Sequence, residues 1–190
     1  RQMCIRDREL LFLLLYLNGR IDRLLDSDMS SEMILGQLLA RNNGILSDQW
    51  YYSTELRVLN TQLIYALFFR LSSNWHFVRM ASTLVLWCVL IASYGVLCRV
   101  MGCKKSFGVT ALLLAAPVSE SYFRFVLAGV YYVPHLAIAF AALALNEAYF
   151  KAKPDRKKFW LVVSVLLALV AGLGGPREII ALYAPLGLAA

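Results

Sequence analysis

The chain has 190 residues, of which 60% are hydrophobic and 16% are charged, and its formal net charge is +7. A soluble domain has about 45–50% apolar and about 25% charged residues, so the composition excludes an ordinary water-soluble globular domain. The positive charge does not indicate a nucleic-acid partner, because the basic residues lie mostly in short segments between apolar runs, as the positive-inside rule expects. The predicted fold class is all-α: a polytopic transmembrane helical bundle whose surroundings are the lipid bilayer.

Both ends of the sequence look like cut ends. Residues 1–8, RQMCIRDR, resemble a string that arises when sequencing-adapter DNA is translated at the edge of an assembled fragment, and they are predicted to be non-native. The last residues, LYAPLGLAA, stop inside an apolar run. A fragment of a longer protein, truncated at both ends, is therefore expected.

The first apolar run is followed by the one long polar segment of the chain. Residues 9–25 are predicted to form the outer part of a first membrane helix, which leaves the hydrocarbon near Arg20. Residues 26–75 are predicted to be an extracytoplasmic loop with surface helices. Residues 76–190 are predicted to hold the second to sixth membrane helices, the last of them incomplete.

The first part of this loop predicts a short amphipathic helix. It begins at Asp28, with Asp28 or Ser30 as the N-cap, and ends near Gly44, which tolerates a left-handed backbone. A membrane span needs about 20 residues, so this helix is predicted to lie in the membrane interface. Its predicted apolar stripe, interrupted by one glutamine, consists of Met29, Met33, Ile34, Gln37 and Leu38.

The second part of the loop predicts an aromatic turn and another surface helix. Residues 45–54 are irregular and include Tyr51 and Tyr52, whose rings favour the headgroup level. Residues 55–71 are predicted to be helical. The spans predicted after the loop are His76–Met101, Phe107–Phe123, Leu127–Phe150, Phe159–Leu173 and a run that starts at Arg177.

The segments that connect the apolar runs differ in charge. Residues 20–57 carry four basic and six acidic side chains, whereas residues 99–105 have three basic and no acidic ones and residues 151–158 five basic and one acidic. Because basic connections stay in the cytoplasm, the acidic loop is predicted to face outwards. The chain is therefore predicted to be a multi-pass protein of the cell membrane, and specifically of a bacterial plasma membrane.

The four cysteines, Cys4, Cys88, Cys98 and Cys103, have no CxxC spacing. Two of them fall inside a predicted span and one in a basic connection. Reduced structural thiols are therefore predicted, rather than a metal site or a disulfide.

Two carboxylates, Asp26 and Asp28, follow the first apolar run with one residue between them. Such a pair can share a divalent cation such as Mg²⁺ or Mn²⁺. Alternatively, one carboxylate can take a proton from an attacking hydroxyl while the other tunes it. The plainer interpretation is that Asp28 only caps the following helix.

The order of these features resembles the GT-C fold of membrane glycosyltransferases, such as the protein O-mannosyltransferases and the lipid A aminoarabinose transferases. In that family an acidic motif after the first span is followed by a helix, a glycine and an extended segment. Asp28, residues 33–39, Gly44 and residues 45–52 are similar to this arrangement.

Two further signatures carry the resemblance, which covers nearly all of residues 10–190. The "aaR" that opens the family's second span resembles Phe77-Val78-Arg79, and its later "GLxxLtKGp" resembles AGLGGPR at 171–177. Two features depart from the family. Residues 56–63 lack its "PPL", and residues 131–135, YYVPH, stand where an acidic residue often opens the fourth span.

The resemblance implies a polyprenyl-phosphate sugar as donor and an acceptor hydroxyl on the extracytoplasmic side. Asp28 would be the general base of an inverting transfer, with Asp26 as the second catalytic carboxylate. Arg57, Arg79 and Arg177 would bind the donor phosphate, a role that suits the fork of a guanidinium. The alternative for Arg79 and Arg177 is that they reach from a helix end to the membrane surface.

Other side chains of the predicted outer face are candidate substrate contacts. They are Glu32, Tyr51, Tyr52, Glu55, His135 and Glu178, the last of which can also pair with Arg177. For the tyrosines the plainer interpretation is an interfacial aromatic belt, and for Glu55 a solvated charge. The alternative function is a transport-type or non-catalytic polytopic membrane protein, against which the small number of polar residues inside the predicted spans counts.

Overall fold

The computed structural model describes residues 2–52, 56, 58–103, 105–175 and 179–189, and their side chains except at 2–7, 9–10 and 188–189. Within these ranges the chain is helical and has no β-strand. The helices are α1 Gln2–Arg20, α2 Ser27–Asn42, α3 Thr61–Phe69, α4 Trp75–Met101, α5 Phe107–Ala115, α6 Glu120–Tyr122, α7 Val133–Lys151, α8 Pro154–Leu173 and α9 Ala184–Ala189. A 3-10 turn, Ile21–Leu24, follows α1. One π-helical segment, Phe123–Ala128, follows α6, and another, Ile179–Tyr183, precedes α9.

Two of the described helices are long and apolar enough to cross a membrane. They are α4, with a mean hydropathy of 2.1, and α7, with a mean hydropathy of 1.3. Residues 107–128 would make a third span, although their two helical parts are bent by 87°. The all-α prediction is confirmed for the described residues, and α4 begins one residue before the predicted span and ends with it.

The predicted straight span Phe107–Phe123 is wrong, because the helix stops at Ala115. Ala116 is extended (φ −81°, ψ 137°), and Val118 donates its N–H to the carbonyl of Ala116. Pro117 explains the break, since proline disfavours a helical backbone in the residue before it. The next span also begins later than predicted, at Val133 instead of Leu127, because a π-helix and a turn occupy the residues between.

The second surface helix is shorter than predicted. It starts at Thr61, where the side chain of Asn60 accepts the Thr61 N–H at 2.8 Å, instead of at residue 55. The first helix likewise ends at Arg20, five residues before its predicted end. That residues 9–25 cross a membrane stays a prediction.

The predicted stripe of α2 is partly wrong. Met29 and Met33 are buried, but Ile34 is exposed, and the buried face continues through Leu35, Gly36 and Leu39. A Cβ at Gly36 would lie 2.6 Å from the Cβ of Tyr65, so only glycine allows α2 and α3 to approach this closely. At the end of α2, Asn43 adopts the left-handed backbone (φ 49°) that was predicted for Gly44.

Helices α3 and α4 form an antiparallel hairpin. The ring of Phe69 contacts that of Trp75, and Phe68 contacts Phe77, so the start of α3 lies beside the third turn of α4. The core behind this hairpin joins α1, α4 and the segment before α7. Trp87 in this core donates its indole N–H to the Leu127 carbonyl at 3.0 Å.

Helices α4 and α7 run in the same direction. The π-helical segment just before α7 meets the middle of α4 through the Trp87–Leu127 bond, and the rings of Tyr94 and Phe140 meet farther along the two helices. Their C-terminal ends meet where Lys151 donates to the Val100 carbonyl at 2.8 Å. Helix α8 returns antiparallel to α7 after a short connection. One end of this bundle therefore gathers the N-termini of α4 and α7, and the other gathers their C-termini.

Candidate functional site

The turn before α2 is fixed by Asp26, which is the N-cap. Its Oδ1 accepts the Met29 N–H at 2.9 Å, and its carbonyl accepts both the N–H and the hydroxyl of Ser30. The prediction that Asp28 or Ser30 caps this helix is wrong, because the helix begins earlier, at Ser27. A cap must have a non-helical backbone and reach the third residue after it, and Asp26 meets both conditions.

Asp28 lies in the first turn of α2 and is exposed. It has no hydrogen bond or ion pair with another described residue, so its carboxylate can receive a proton.

Arg79 lies directly beneath this turn and is only 2% exposed. Its guanidinium donates to the carbonyls of Ile21 and Leu24, the latter at 3.2 Å, and to the sulfur of Met29 at 3.1 Å. Ile21 begins and Leu24 ends the 3-10 turn, so these two backbone carbonyls tie both ends of that turn to α4. Arg79 therefore holds the turn that presents Asp26 and Asp28, and its contact with a donor phosphate stays a prediction.

Tyr131 is distant from Asp26 and Asp28 in the sequence but lies near their turn in the fold, beside Gly129 and Met29. Burial raises the pKa of its hydroxyl to about 12, and Tyr132 and the negative charges of Asp26, Asp28 and Glu32 add to the shift. Tyr131 is thus protonated near neutral pH and can act as a hydrogen-bond donor. We call Asp26, Asp28, Glu32 and Tyr131 the acidic site.

Glu32 is the buried member of the acidic site. It projects from the inner face of α2, where burial and then its charge raise the pKa of Tyr65. The acidic site therefore has an exposed rim at Asp28 and a buried floor at Glu32, Tyr65 and Arg79.

Gly129 and Val130 shape the wall of the acidic site. Val130 is fully buried with a φ of 54°, a left-handed backbone that a β-branched residue seldom adopts. Such strain concentrates where the surrounding structure imposes a geometry, as at binding and catalytic sites. A Cβ at Gly129 would lie 2.4 Å from the methyl group of Met29 and 2.5 Å from the Arg124 carbonyl.

Gly129→Ala is therefore expected to lower the free energy of unfolding by about 1–3 kcal/mol, as overpacking does. Thermal unfolding in detergent measures the change. Gly172→Ala is the matched control, because a Cβ at this helical glycine meets nothing within 4 Å. Equal stability of the two variants would contradict the prediction, because it would show that Met29 and the Arg124 carbonyl can move aside at little energetic cost.

The other predicted contacts are scattered. Tyr51 is 89% exposed, whereas the hydroxyl of Tyr52 accepts the Ser47 N–H at 3.0 Å and so serves the loop itself. His135 is half-buried in the first turn of α7, with its ring 6.1 Å from that of Tyr132. The ring of Tyr132 lies 4.6 Å from that of Tyr131 at an angle of 33°, so one ring separates His135 from the acidic site.

Four predicted site residues, Arg57, Arg177, Glu55 and Glu178, lie outside the described residues. Their roles stay predictions. Two described residues near them are hydrogen-bonded to each other: the Leu56 N–H donates to the Leu173 carbonyl at 3.1 Å.

A buried polar band, missed from the sequence, lies between α3 and α4. Arg79, Ser82 and Thr83 on α4 and Thr61 and Gln62 on α3 are all buried. The Ser82 and Thr83 hydroxyls have no hydrogen-bond partner among the described residues. The i, i+3, i+4 spacing from Arg79 was the available signal, since it puts these side chains on one helix face.

The end of α1 is tied to the start of α4 by His76. Its Nδ1 lies 2.9 Å from Asp22 Oδ2, and its Nε2 lies 3.2 Å from Asn18 Oδ1. Among the described residues no group of three or more His, Cys, Asp or Glu side chains could hold a metal ion. The cation shared by Asp26 and Asp28 stays a prediction.

Cys88, Cys98 and Cys103 are free thiols, of which only Cys98 is buried, and a structural role for the cysteines stays a prediction. Protein-family models, curated proteins and solved structures provide no match to this chain.

Proposed function

We propose that the chain is part of a membrane glycosyltransferase that moves a sugar from a polyprenyl-phosphate donor to an acceptor hydroxyl. The observation that carries the proposal is the packing at the N-terminal side of α4 and α7: Met29, which follows Asp26 and Asp28, lies against Arg79 of α4 and beside Gly129 and Tyr131, which precede α7. These are the two described helices that could each cross a membrane alone. An acidic site at the membrane surface is where a lipid-linked donor and a water-soluble acceptor can meet.

The charge distribution supports an outward-facing acidic site. The opposite end of the bundle holds Arg99 at the end of α4 and the basic residues 151–158 between α7 and α8. Because basic ends stay in the cytoplasm, the acidic end faces outwards in a multi-pass chain of the plasma membrane.

Asp28 is the general base in this proposal. The acceptor oxygen attacks the anomeric carbon from the side opposite the phosphate, and its proton moves to Asp28. The bond between the anomeric carbon and the phosphate oxygen breaks, and the polyprenyl phosphate leaves with the electron pair. The configuration at the anomeric carbon is inverted. The negative charge that grows on the leaving phosphate needs a cation, and Arg57 and Arg177 are the proposed partners.

A donor-consumption assay tests this proposal without knowledge of the acceptor. The full-length protein in vesicles is supplied with a labelled polyprenyl-phosphate sugar and a cell extract as the source of acceptors. Protein-dependent release of free polyprenyl phosphate, with the sugar in inverted linkage, is the expected result. An intact donor across a panel of common sugars would contradict it.

Transport is the second candidate, because two structural observations favour it. The 87° bend after α5 resembles the broken helices of transporters, and the buried Arg79, Ser82 and Thr83 give α4 polar groups inside a predicted span. The same vesicles discriminate between the two functions. A transporter moves the labelled compound across the membrane with every covalent bond intact.

A further inference from the structure

An apolar groove of about 460 Å³ lies between α4, α7 and α8, mainly in the half of the bundle that is farther from the acidic site. Val96 and Val100 of α4, Ala144 and Ala148 of α7, and Trp160 and Val163 of α8 form much of its wall. None of the described residues that line it carries a charge. The groove thus presents a hydrocarbon surface of the kind that an acyl chain fills.

Basic side chains stand at one end of this groove. Arg156 precedes Trp160 by four residues, so it continues the stripe of α8 that lines the groove. Lys151 places its Nζ 2.8 Å from the carbonyl of Val100, a groove residue, and also pairs with Glu147. Asp155 adds one negative charge at this end, but residues 151–158 include five basic side chains.

We infer that this groove binds one acyl chain of an anionic phospholipid, with the headgroup phosphate between Lys151 and Arg156. An apolar wall that ends in positive charge is complementary to an amphiphile with an apolar tail and an anionic head. Basic pockets between membrane helices on the cytoplasmic side recognise anionic lipids in this manner. The inference depends on insertion into a bilayer and not on sugar transfer.

Trp160 provides the measurement, because it lines the groove and its fluorescence is quenched by bromine atoms on contact. The protein is placed in phosphatidylcholine vesicles that contain a small fraction of brominated phosphatidylglycerol or, in parallel, of brominated phosphatidylcholine. The signal lost in Trp160→Phe identifies the contribution of Trp160. We expect phosphatidylglycerol to quench it at a several-fold lower fraction than phosphatidylcholine does.

Two substitutions on the same turn of α8 locate the headgroup. Arg156→Gln is expected to raise the fraction needed for half-quenching about fivefold, the effect of removing one basic residue at an anionic surface. Lys158→Gln removes the same charge from the opposite side of the helix and should leave the fraction unchanged.

The wild-type comparison of the two lipids does not depend on how any variant folds. Equal quenching by both lipids would overturn the proposed headgroup selectivity. The absence of quenching by either lipid would mean that protein covers the groove, whether a second copy or another segment, and would overturn the proposal as a whole. Equal effects of Arg156→Gln and Lys158→Gln would reduce it to general surface attraction.

Discussion

Asp28→Asn is expected to reduce sugar transfer by the full-length protein about 10²–10⁴-fold, the range that a general base contributes. Asparagine has nearly the same shape but cannot accept the proton of the acceptor hydroxyl. Since Asp28 is exposed and does not cap α2, the fold should be unaffected. The release of polyprenyl phosphate over time measures the effect.

Two neighbouring acids serve as controls for Asp28. Asp48→Asn changes an exposed acid of the same loop and should leave transfer unchanged. Asp26→Asn keeps a good N-cap, because asparagine caps as well as aspartate does, and so it tests the charge of Asp26 alone. Wild-type turnover by Asp28→Asn would exclude Asp28 as the base, and a loss only in Asp26→Asn would move that role to Asp26.

The sequence predicted the class of fold because hydrophobic length is a property of single segments. The apolar run of α4 needs no tertiary information, and its predicted bounds agree with the structure to within one residue. The bend after α5 was missed, although Pro117 lies in the run, because proline is tolerated in membrane helices and only the structure shows that it breaks this one.

The acidic site could be predicted only in part. The pair Asp26 and Asp28 is visible in the sequence, but both residues suit an N-cap, and only the structure shows that the helix starts after Asp26. The 3-10 turn before it is stabilised by Arg79, which lies more than fifty residues later. Tyr131 comes close to Asp26 and Asp28 only because the bent segment 107–128 leads the chain back to α2. No local sequence pattern predicts that path.

Arg79→Ala is expected to destabilise the protein by about 1–3 kcal/mol, the cost of one unsatisfied buried polar group. The backbone carbonyls of Ile21 and Leu24 would both lose the guanidinium that donates to them, although the Ile21 carbonyl keeps its donor within the 3-10 turn. Arg79→Lys should restore only part of the loss, because a single ammonium group lacks the fork that reaches both oxygens. Chemical unfolding in detergent measures both variants, with the exposed Arg70→Ala as the matched control.

Hydrogen exchange separates this positioning role from the predicted contact with a donor phosphate. If Arg79 holds the turn, its loss loosens the cap, and the amides of Met29 and Ser30, which donate to Asp26, exchange faster without any donor present. A phosphate ligand would behave differently: Arg79→Ala would weaken donor binding while the stability and those two exchange rates stayed at wild-type values. Only the positioning role would connect Arg79 to the proposed base, because it holds the turn that presents Asp28.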